Sequence, residues 1–292
     1  MRIVSLLPSA TEILFGIGAG GDVVGVTHEC DFPAEARTRP KLTAAAGPQM
    51  QTPGGIDRHV RAAVHAGSSL YHLDAELLDR LAPDLIVTQE LCPVCAVSYE
   101  IVTAAAKRLR SDPRVVSLEP RSLGDVFANI ELLGGITGRA EGASQLIAGL
   151  TSRVEALQRC KGLRATPRTL VLEWTDPPMS AGHWIPGLIE LAGGTPILAH
   201  PGSNSQRLGW DEIAAAEPDA IVIAPCGMDL AATQRALALL DSLAQWRALR
   251  ARNRGRVLPM DGNAYMSRPG PRLVDSAEIV ARWYTTVAEY AG

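Results

Sequence analysis

Leu78-Asp-Arg-Leu-Ala-Pro-Asp84-Leu-Ile-Val87 and Ile213-Ala-Ala-Ala-Glu-Pro-Asp219-Ala-Ile-Val222 are one phrase written twice. Each reads as a helix end, a Pro-Asp turn that stops it, and a short apolar strand. Proline cannot continue a helix, and β-branched side chains suit a pleated backbone. Each strand runs into a loop that carries cysteine: Gln89-Glu90-Leu91-Cys92-Pro93-Val94-Cys95 after the first, Pro225-Cys226-Gly227 after the second. Strands alternating with helices predict parallel sheet. The repetition predicts two similar α/β lobes. In open α/β sheets ligands bind beyond the carboxyl ends of the strands, which is where both loops stand.

Upstream, Arg2–Leu6 predicts a strand and Pro8 opens a helix, with Ser9 as its cap and Glu12 completing a capping box. Val23–Val26 is a second strand, followed by the loop Thr27-His28-Glu29-Cys30-Asp31-Phe32-Pro33. Residues 34–55 lack periodicity and read as loop. Asp74 caps a helix over Ala75–Leu81. Between the repeats, apolar residues recur at helical spacing from Leu123 to Leu157, which predicts one long helix over Ser122–Arg159. Beyond it, Thr169–Glu173, Ala220–Ala224 and Arg256–Met260 read as strands. Trp174–Trp184 and Asp261–Arg268 read as loops, Thr233–Leu249 and Pro271–Tyr290 as helices. The division is an N-terminal α/β lobe over 1–121, a linking helix and connector over 122–166, and a C-terminal α/β lobe over 167–292. The fold class is α/β: two Rossmann-like lobes with a ligand cleft between them, bridged by one long α-helix.

Bulk properties narrow the function. The chain has 292 residues, 47% hydrophobic and 20% charged, so it can bury a core. A net charge of −3 and the absence of a basic run argue against nucleic acid. No apolar run approaches a membrane span, which excludes membrane insertion. The start lacks the apolar segment and cleavage site of a signal peptide, which predicts a cytoplasmic protein, or a periplasmic one if a leader had been removed. There is no Gly-x-Ser-x-Gly, no P-loop and no Gly-x-Gly-x-x-Gly after a strand, so the chain is read as a non-enzyme.

Four cysteines, Cys30, Cys92, Cys95 and Cys226, fall in loops after predicted strands, with His28 beside Cys30. A Cys-x-x-Cys pair can turn two sulfurs to one metal such as zinc. The plain alternative is that free cysteines fill loop–core contacts as small hydrophobes. Cys160 is assigned to that role. Tyr71, Trp174, Trp184 and Tyr265 sit in loops or flank glycines, and such rings hold large flat ligands. His183 lies in the same kind of loop.

Ser5-Leu-Leu-Pro-Ser-Ala-Thr-Glu12, Gly25-Val-Thr-His28, the Pro83-Asp84-Leu-Ile-Val87 phrase and Arg268-Pro-Gly-Pro-Arg272 resemble the cobalamin- and siderophore-binding proteins of ABC importers. The resemblance covers nearly the whole chain. It implies a corrinoid ligand, cobalamin first, and an importer permease as partner. It also implies ligand aromatics near Trp184 and Tyr265 and a ligand contact from the loop after Val87. The chain departs from the family in the Cys92/Cys95 pair. The resulting expectation is a corrinoid-binding protein with Tyr71, Gln89, Glu90, Leu91, Trp174, His183, Trp184 and Tyr265 at the ligand. A thiolate or His28 would approach the cobalt. The second reading is a metal-binding or thiol redox protein using His28, Cys30, Cys92, Cys95 and Cys226.

Overall fold

The computed structural model describes residues 1–47, 50, 52–66, 70–90, 99–159 and 166–289. Leu91, Cys92, Cys95 and Cys160 lie outside the described residues. The chain forms two compact units, one of Met1–Met50, Arg58–Glu119 and Asp125–Ala148, the other of Gln51–Asp57, Pro120–Gly124 and Gly149–Gly292.

The first unit contains, in chain order, β1 (Ile3–Ser5), α1 (Pro8–Gly16), β2 (Val23–Val26), β3 (Thr43–Ala45), most of α2 (Pro53–His65), β4 (Tyr71–Leu73), α3 (Ala75–Leu81), β5 (Leu85–Thr88), α4 (Tyr99–Ala106), β6 (Arg114–Ser117), α5 (Leu123–Thr137) and the first part of α6 (Ala140–Arg159). Its sheet has the order β2-β1-β5-β6, and every pair is parallel. Parallel strands are covered on both faces, which explains why Ile3, Val4, Leu85, Ile86 and Val87 are all buried without polar alternation. Val4, Leu6, Leu42, Leu78, Ile86 and Val102 form the core of one face. The order reverses between β1 and β5, and a reversal of this kind opens a crevice at the carboxyl ends.

The second unit continues α6 and adds β7 (Arg168–Thr175), β8 (Pro178–Ser180), α7 (Ile185–Leu191), β9 (Thr195–Pro196), β10 (Gln206–Arg207), α8 (Trp210–Ala215), β11 (Ala220–Ile223), α9 (Leu230–Leu240), α10 (Ala244–Ala248), α11 (Arg250–Asn253), β12 (Val257–Pro259) and α12 (Leu273–Glu289). Its sheet runs β10-β8-β7-β11-β12, with β9 beside β7. β7, β11 and β12 are parallel neighbours, and β8 folds back antiparallel on β7. Leu170, Leu172, Ile213, Ile221, Ile223 and Trp246 fill the core on one side. Arg153 on α6 is tied to Asp275 and Glu278 on α12, with the Glu278 bonds at 2.8 Å.

The repeated phrase performs the same task in each unit. The Asp84 carboxylate accepts the backbone N–H of Arg2 at 2.7 Å, and the Arg2 side chain donates to the Leu81 carbonyl. The Asp219 carboxylate accepts the backbone N–H of Arg168 at 3.1 Å, and the Arg168 side chain donates to the Ala216 carbonyl. In each turn the residue before the proline is left-handed, Ala82 at φ 41° and Glu217 at φ 44°. The turn thus pins a helix end to the start of the neighbouring strand.

Several elements differ from expectation. The helix expected over 122–159 is two, because Gly138 takes φ 69° and the Arg139 N–H turns back to the Gly134 carbonyl at 2.7 Å. Likewise the stretch 233–249 holds two helices, α9 and α10. Trp174 belongs to β7, which runs to Thr175, and residues 178–180 are a strand. Gly262–Met266 is a turn of π-helix inside the expected loop. The stretch 34–55 includes β3, which pairs antiparallel with β4. Ser9 does not cap α1: Leu7 is the N-cap, without a side-chain bond, and Pro8 supplies the preset first turn. Asp74 does cap α3, accepting from Leu77 N–H at 2.8 Å. Among the described residues no helix is long and apolar enough to cross a membrane.

Candidate functional site

In the second unit the ends of β7, β11 and β12 are knitted together. The Cys226 N–H donates to the Glu173 carbonyl at 3.1 Å, and Asn263 N–H to the Met228 carbonyl at 3.0 Å. Gly262 rests against the Pro225 carbonyl so closely that a Cβ would overlap it. The indole N–H of Trp184, the residue before α7, donates to the Met266 carbonyl at 2.8 Å. This bond ties the start of α7 to the π-helical turn that carries Tyr265. The Ser276 hydroxyl holds the Tyr265 carbonyl from α12, and the Arg272 guanidinium lies 5.8 Å from the Tyr265 ring.

A second knot forms at His183. Its backbone is left-handed, φ 53°, a region uncommon for residues other than glycine. Its N–H donates to the Ser203 carbonyl at 2.6 Å, and its carbonyl accepts from Gly202 N–H at 2.9 Å. The Arg121 guanidinium holds the Gly202 carbonyl at 3.3 Å. Gly182 has no room for a side chain against Ser203 and Ser205. The ring of His183 is kept below the ordinary histidine range, first by burial and then by the charge of Arg121, while a bond to the Asn204 side chain acts the other way. Burial raises the Glu173 carboxyl against the bonds it receives from Ser205 and the Gly182 N–H.

In the first unit the loop after β2 is anchored by several side-chain bonds. Thr43 Oγ1 accepts the His28 backbone N–H at 3.1 Å and lies 2.7 Å from His28 Nδ1. His28 Nε2 faces the Glu29 carboxylate at 3.4 Å. Both ring nitrogens of His28 thus have a polar neighbour, Thr43 at Nδ1 and Glu29 at Nε2. The Tyr71 ring lies 5.7 Å away. Cys30 is 1% exposed, with its sulfur 3.0 Å from the Thr11 hydroxyl, and Lys41 clips the Cys30 carbonyl at 3.0 Å. It packs as a small hydrophobe instead of standing open as a ligand. Gln89 is buried, and Glu90 is exposed with its N–H bonded to Glu119. Near the reversal of strand order, the buried hydroxyls of Ser9 and Thr88 have no hydrogen-bond partner among the described residues.

The expected ligand residues thus separate. Trp174 is partly buried near the end of β7, Tyr265 is partly buried after β12, and His183 is half-buried between β8 and α7. Trp184, expected in a ligand wall, is 8% exposed and spends its N–H on Met266, so it is a strut beneath the loops. Cys226 is exposed after β11. Among the described residues no group of three or more His, Cys, Asp or Glu is placed to hold a metal ion. Sequence reasoning missed Arg121, Asn204, Ser205 and Glu173. The turn-rich run Pro201-Gly-Ser-Asn-Ser205 was a signal, since such residues build backbone knots of this kind.

Residues 3–261 match the family model described as periplasmic binding protein. A lipoprotein of Bacillus subtilis (strain 168), the uncharacterized ABC transporter substrate-binding lipoprotein YvrC, is 25% identical over 291 residues, 96% of this chain and 78% of that one. The periplasmic vitamin B12 binding protein BtuF of Vibrio cholerae superposes with a TM-score of 0.69 at 20% identity, covering 98% and 97% of the two chains. The periplasmic heme-binding protein BhuT, in complex with two hemes, gives a TM-score of 0.73 at 20% identity and 98% of both chains. The structural likenesses show the fold. The expectation of a cytoplasmic protein finds no support in relatives that are periplasmic or lipoproteins.

Proposed function

The chain belongs to the periplasmic binding protein family and is a substrate-binding protein of the ABC-importer type, not an enzyme; from that premise we propose that its solute is a metal-centred tetrapyrrole, with cobalamin the first choice. The observation that carries the reading is the convergence at the second unit's strand ends. Adjacent parallel strands deliver Trp174, Cys226 and Tyr265, and the Trp184–Met266 bond fixes the His183 loop against the Tyr265 turn. Rings, a soft sulfur and an imidazole suit a broad apolar macrocycle with a transition metal at its centre. The names of the B12-binding and heme-binding neighbours support the same ligand class. The loaded protein would deliver its solute to an ABC permease.

The test is an absorbance titration with aquocobalamin and, separately, with ferric protoporphyrin. A saturable shift of the macrocycle bands at near-stoichiometric ligand is expected, tighter for aquocobalamin. Tighter binding of the porphyrin would move the assignment to heme. No shift with either, at ligand well above protein, would end the tetrapyrrole reading.

A further inference from the structure

We propose that the arginine-bearing end of the second unit, Arg247–Arg256, is a docking surface for an anionic phospholipid bilayer; this rests on the chain being a substrate-binding protein of an importer, which works at a membrane, and not on the identity of its solute. Residues 242–260 carry Arg247, Arg250, Arg252, Arg254 and Arg256 and no acidic residue, in a chain whose net charge is −3. No two of these arginines adjoin, so the sequence shows no basic run, and it is the fold that gathers them. The Arg254 N–H donates to the Arg250 carbonyl at 3.0 Å, the Gly255 N–H to the Arg252 carbonyl at 3.1 Å and the Arg256 N–H to the Ala251 carbonyl at 2.8 Å. Gly255, at φ 66°, turns the chain from α11 into β12. Trp246, Leu249 and Ala251 are buried, whereas Arg247, Arg250 and Arg254 are exposed and Arg252 and Arg256 partly so. The segment thus has one side anchored in the core and a cationic side in water.

Little of this charge is compensated. The Asp241 carboxylate bonds Arg252 at 3.1 Å, and the Asp241 carbonyl holds Arg247 at 2.8 Å. Among the described residues Arg250, Arg254 and Arg256 have no ion pair. The surface also has a definite place. The Ile221 N–H donates to the Arg256 carbonyl at 3.0 Å and Ile221 pairs with Val257, so the arginines stand at the amino ends of β11 and β12. Cys226 and Tyr265 follow the carboxyl ends of the same two strands. The cationic surface and the candidate ligand site therefore occupy opposite ends of one sheet.

Guanidinium groups pair with phosphates through two parallel N–H bonds, and basic segments near an anionic leaflet are attracted in proportion to their charge. A nucleic acid would call for an exposed aromatic to stack on bases or a helix to enter a groove. The aromatic residue of this segment, Trp246, is 1% exposed and gives its N–H to Asp241, and α11 is 4 residues long. With the apolar residues turned inward, the contact is electrostatic and no side chain inserts into the bilayer. Its consequence is to keep the protein on the surface where the permease lies.

The experiment is co-sedimentation with vesicles of phosphatidylcholine alone and of equal parts phosphatidylcholine and phosphatidylglycerol. Wild type is compared with Arg250→Gln/Arg254→Gln and with Arg80→Gln/Arg108→Gln, which makes the same charge change in the first unit. Circular dichroism and the melting temperature establish that both variants are folded. Wild type is expected on the anionic vesicles only, and to leave them as ionic strength rises from about 0.1 to about 1 M and the Debye length shortens from about 10 to about 3 Å. Arg250→Gln/Arg254→Gln should bind at least tenfold more weakly, at about fivefold per arginine. Arg80→Gln/Arg108→Gln should bind as wild type does. Equal binding to both vesicle types, no binding to either, or equal weakening in the two variants overturns the proposal. So does tighter binding of a DNA oligonucleotide at the same ionic strength with the same dependence on Arg250 and Arg254, which would make the surface one for nucleic acid. Solute titration is read separately, so the tetrapyrrole reading and the membrane surface stand or fall independently.

Discussion

At the scale of the residue, His183 and its neighbours set the pH response. Its folded value lies below the usual histidine value of about 6.5. The ring therefore resists protonation more than a free histidine does, and this costs stability in acid. Below about pH 6.5 the unfolded histidine takes up a proton that the folded one refuses, so stability falls there until the folded value is passed. Arg121→Gln removes one cause of the depression and should shrink that acid loss of stability; an unchanged pH dependence, read by denaturant unfolding at stepped pH, would remove Arg121 from the account. Gly262→Ala places a methyl on the Pro225 carbonyl and should cost about 2 kcal/mol or more in denaturant unfolding. Of these residues only His183 was singled out in the sequence, because a histidine after a strand stands out by position alone. Arg121 and Asn204 reach it from distant chain segments, and no local pattern marks that meeting. His28 and Trp184 were visible, but their bonds to Thr43 and Met266 were not. Sequence shows which groups a side chain carries, not which of them the fold has already satisfied.

At the scale of the element, the Pro-Asp clasp and the α6–α12 ion network carry the testable energies. Asp84→Ala or Asp219→Ala leaves a strand-initial N–H without its carboxylate, and each should cost about 1 kcal/mol, a typical net hydrogen bond. Equal effects in the two units would match their shared geometry. Arg153→Met removes a partly exposed cation that lowers the Glu278 carboxyl below its ordinary value. Its stabilisation holds above the unfolded carboxyl value and is lost as pH falls through the folded one. A loss of about 1 kcal/mol at neutral pH is expected, shrinking in high salt and at acid pH. The clasp was the most legible element, since proline and aspartate announce a stop and a cap. The break at Gly138 was not. Apolar spacing continues past it from Leu133 to Leu146, so the period alone did not separate two helices packed where Gly134 meets Ala143.

At the scale of the whole molecule, ligand binding should appear as stability. A solute that binds only the folded protein adds about 2.7 kcal/mol at a hundredfold excess over Kd. The melting temperature should therefore rise with aquocobalamin and not with an equal concentration of free imidazole. The α/β class and the duplication were legible because the repeated phrase encodes them locally. What the sequence could not display is that the second unit is discontinuous. Residues 51–57 and 120–124 join it from far upstream.

That discontinuity bears on how the protein is made. Asp57 pairs with Arg207, separated by 150 positions, at 2.7 Å. Arg121 likewise holds the carbonyl of Gly202, 81 positions later. At about 5–20 residues per second, a ribosome needs on the order of 8–30 s to reach Arg207 after placing Asp57. Through that interval the nascent chain carries two early pieces whose partners have not yet been translated. The first unit's sheet has all its strands by Ser117, so it can close during synthesis, whereas the second waits for β12 at Val257–Pro259.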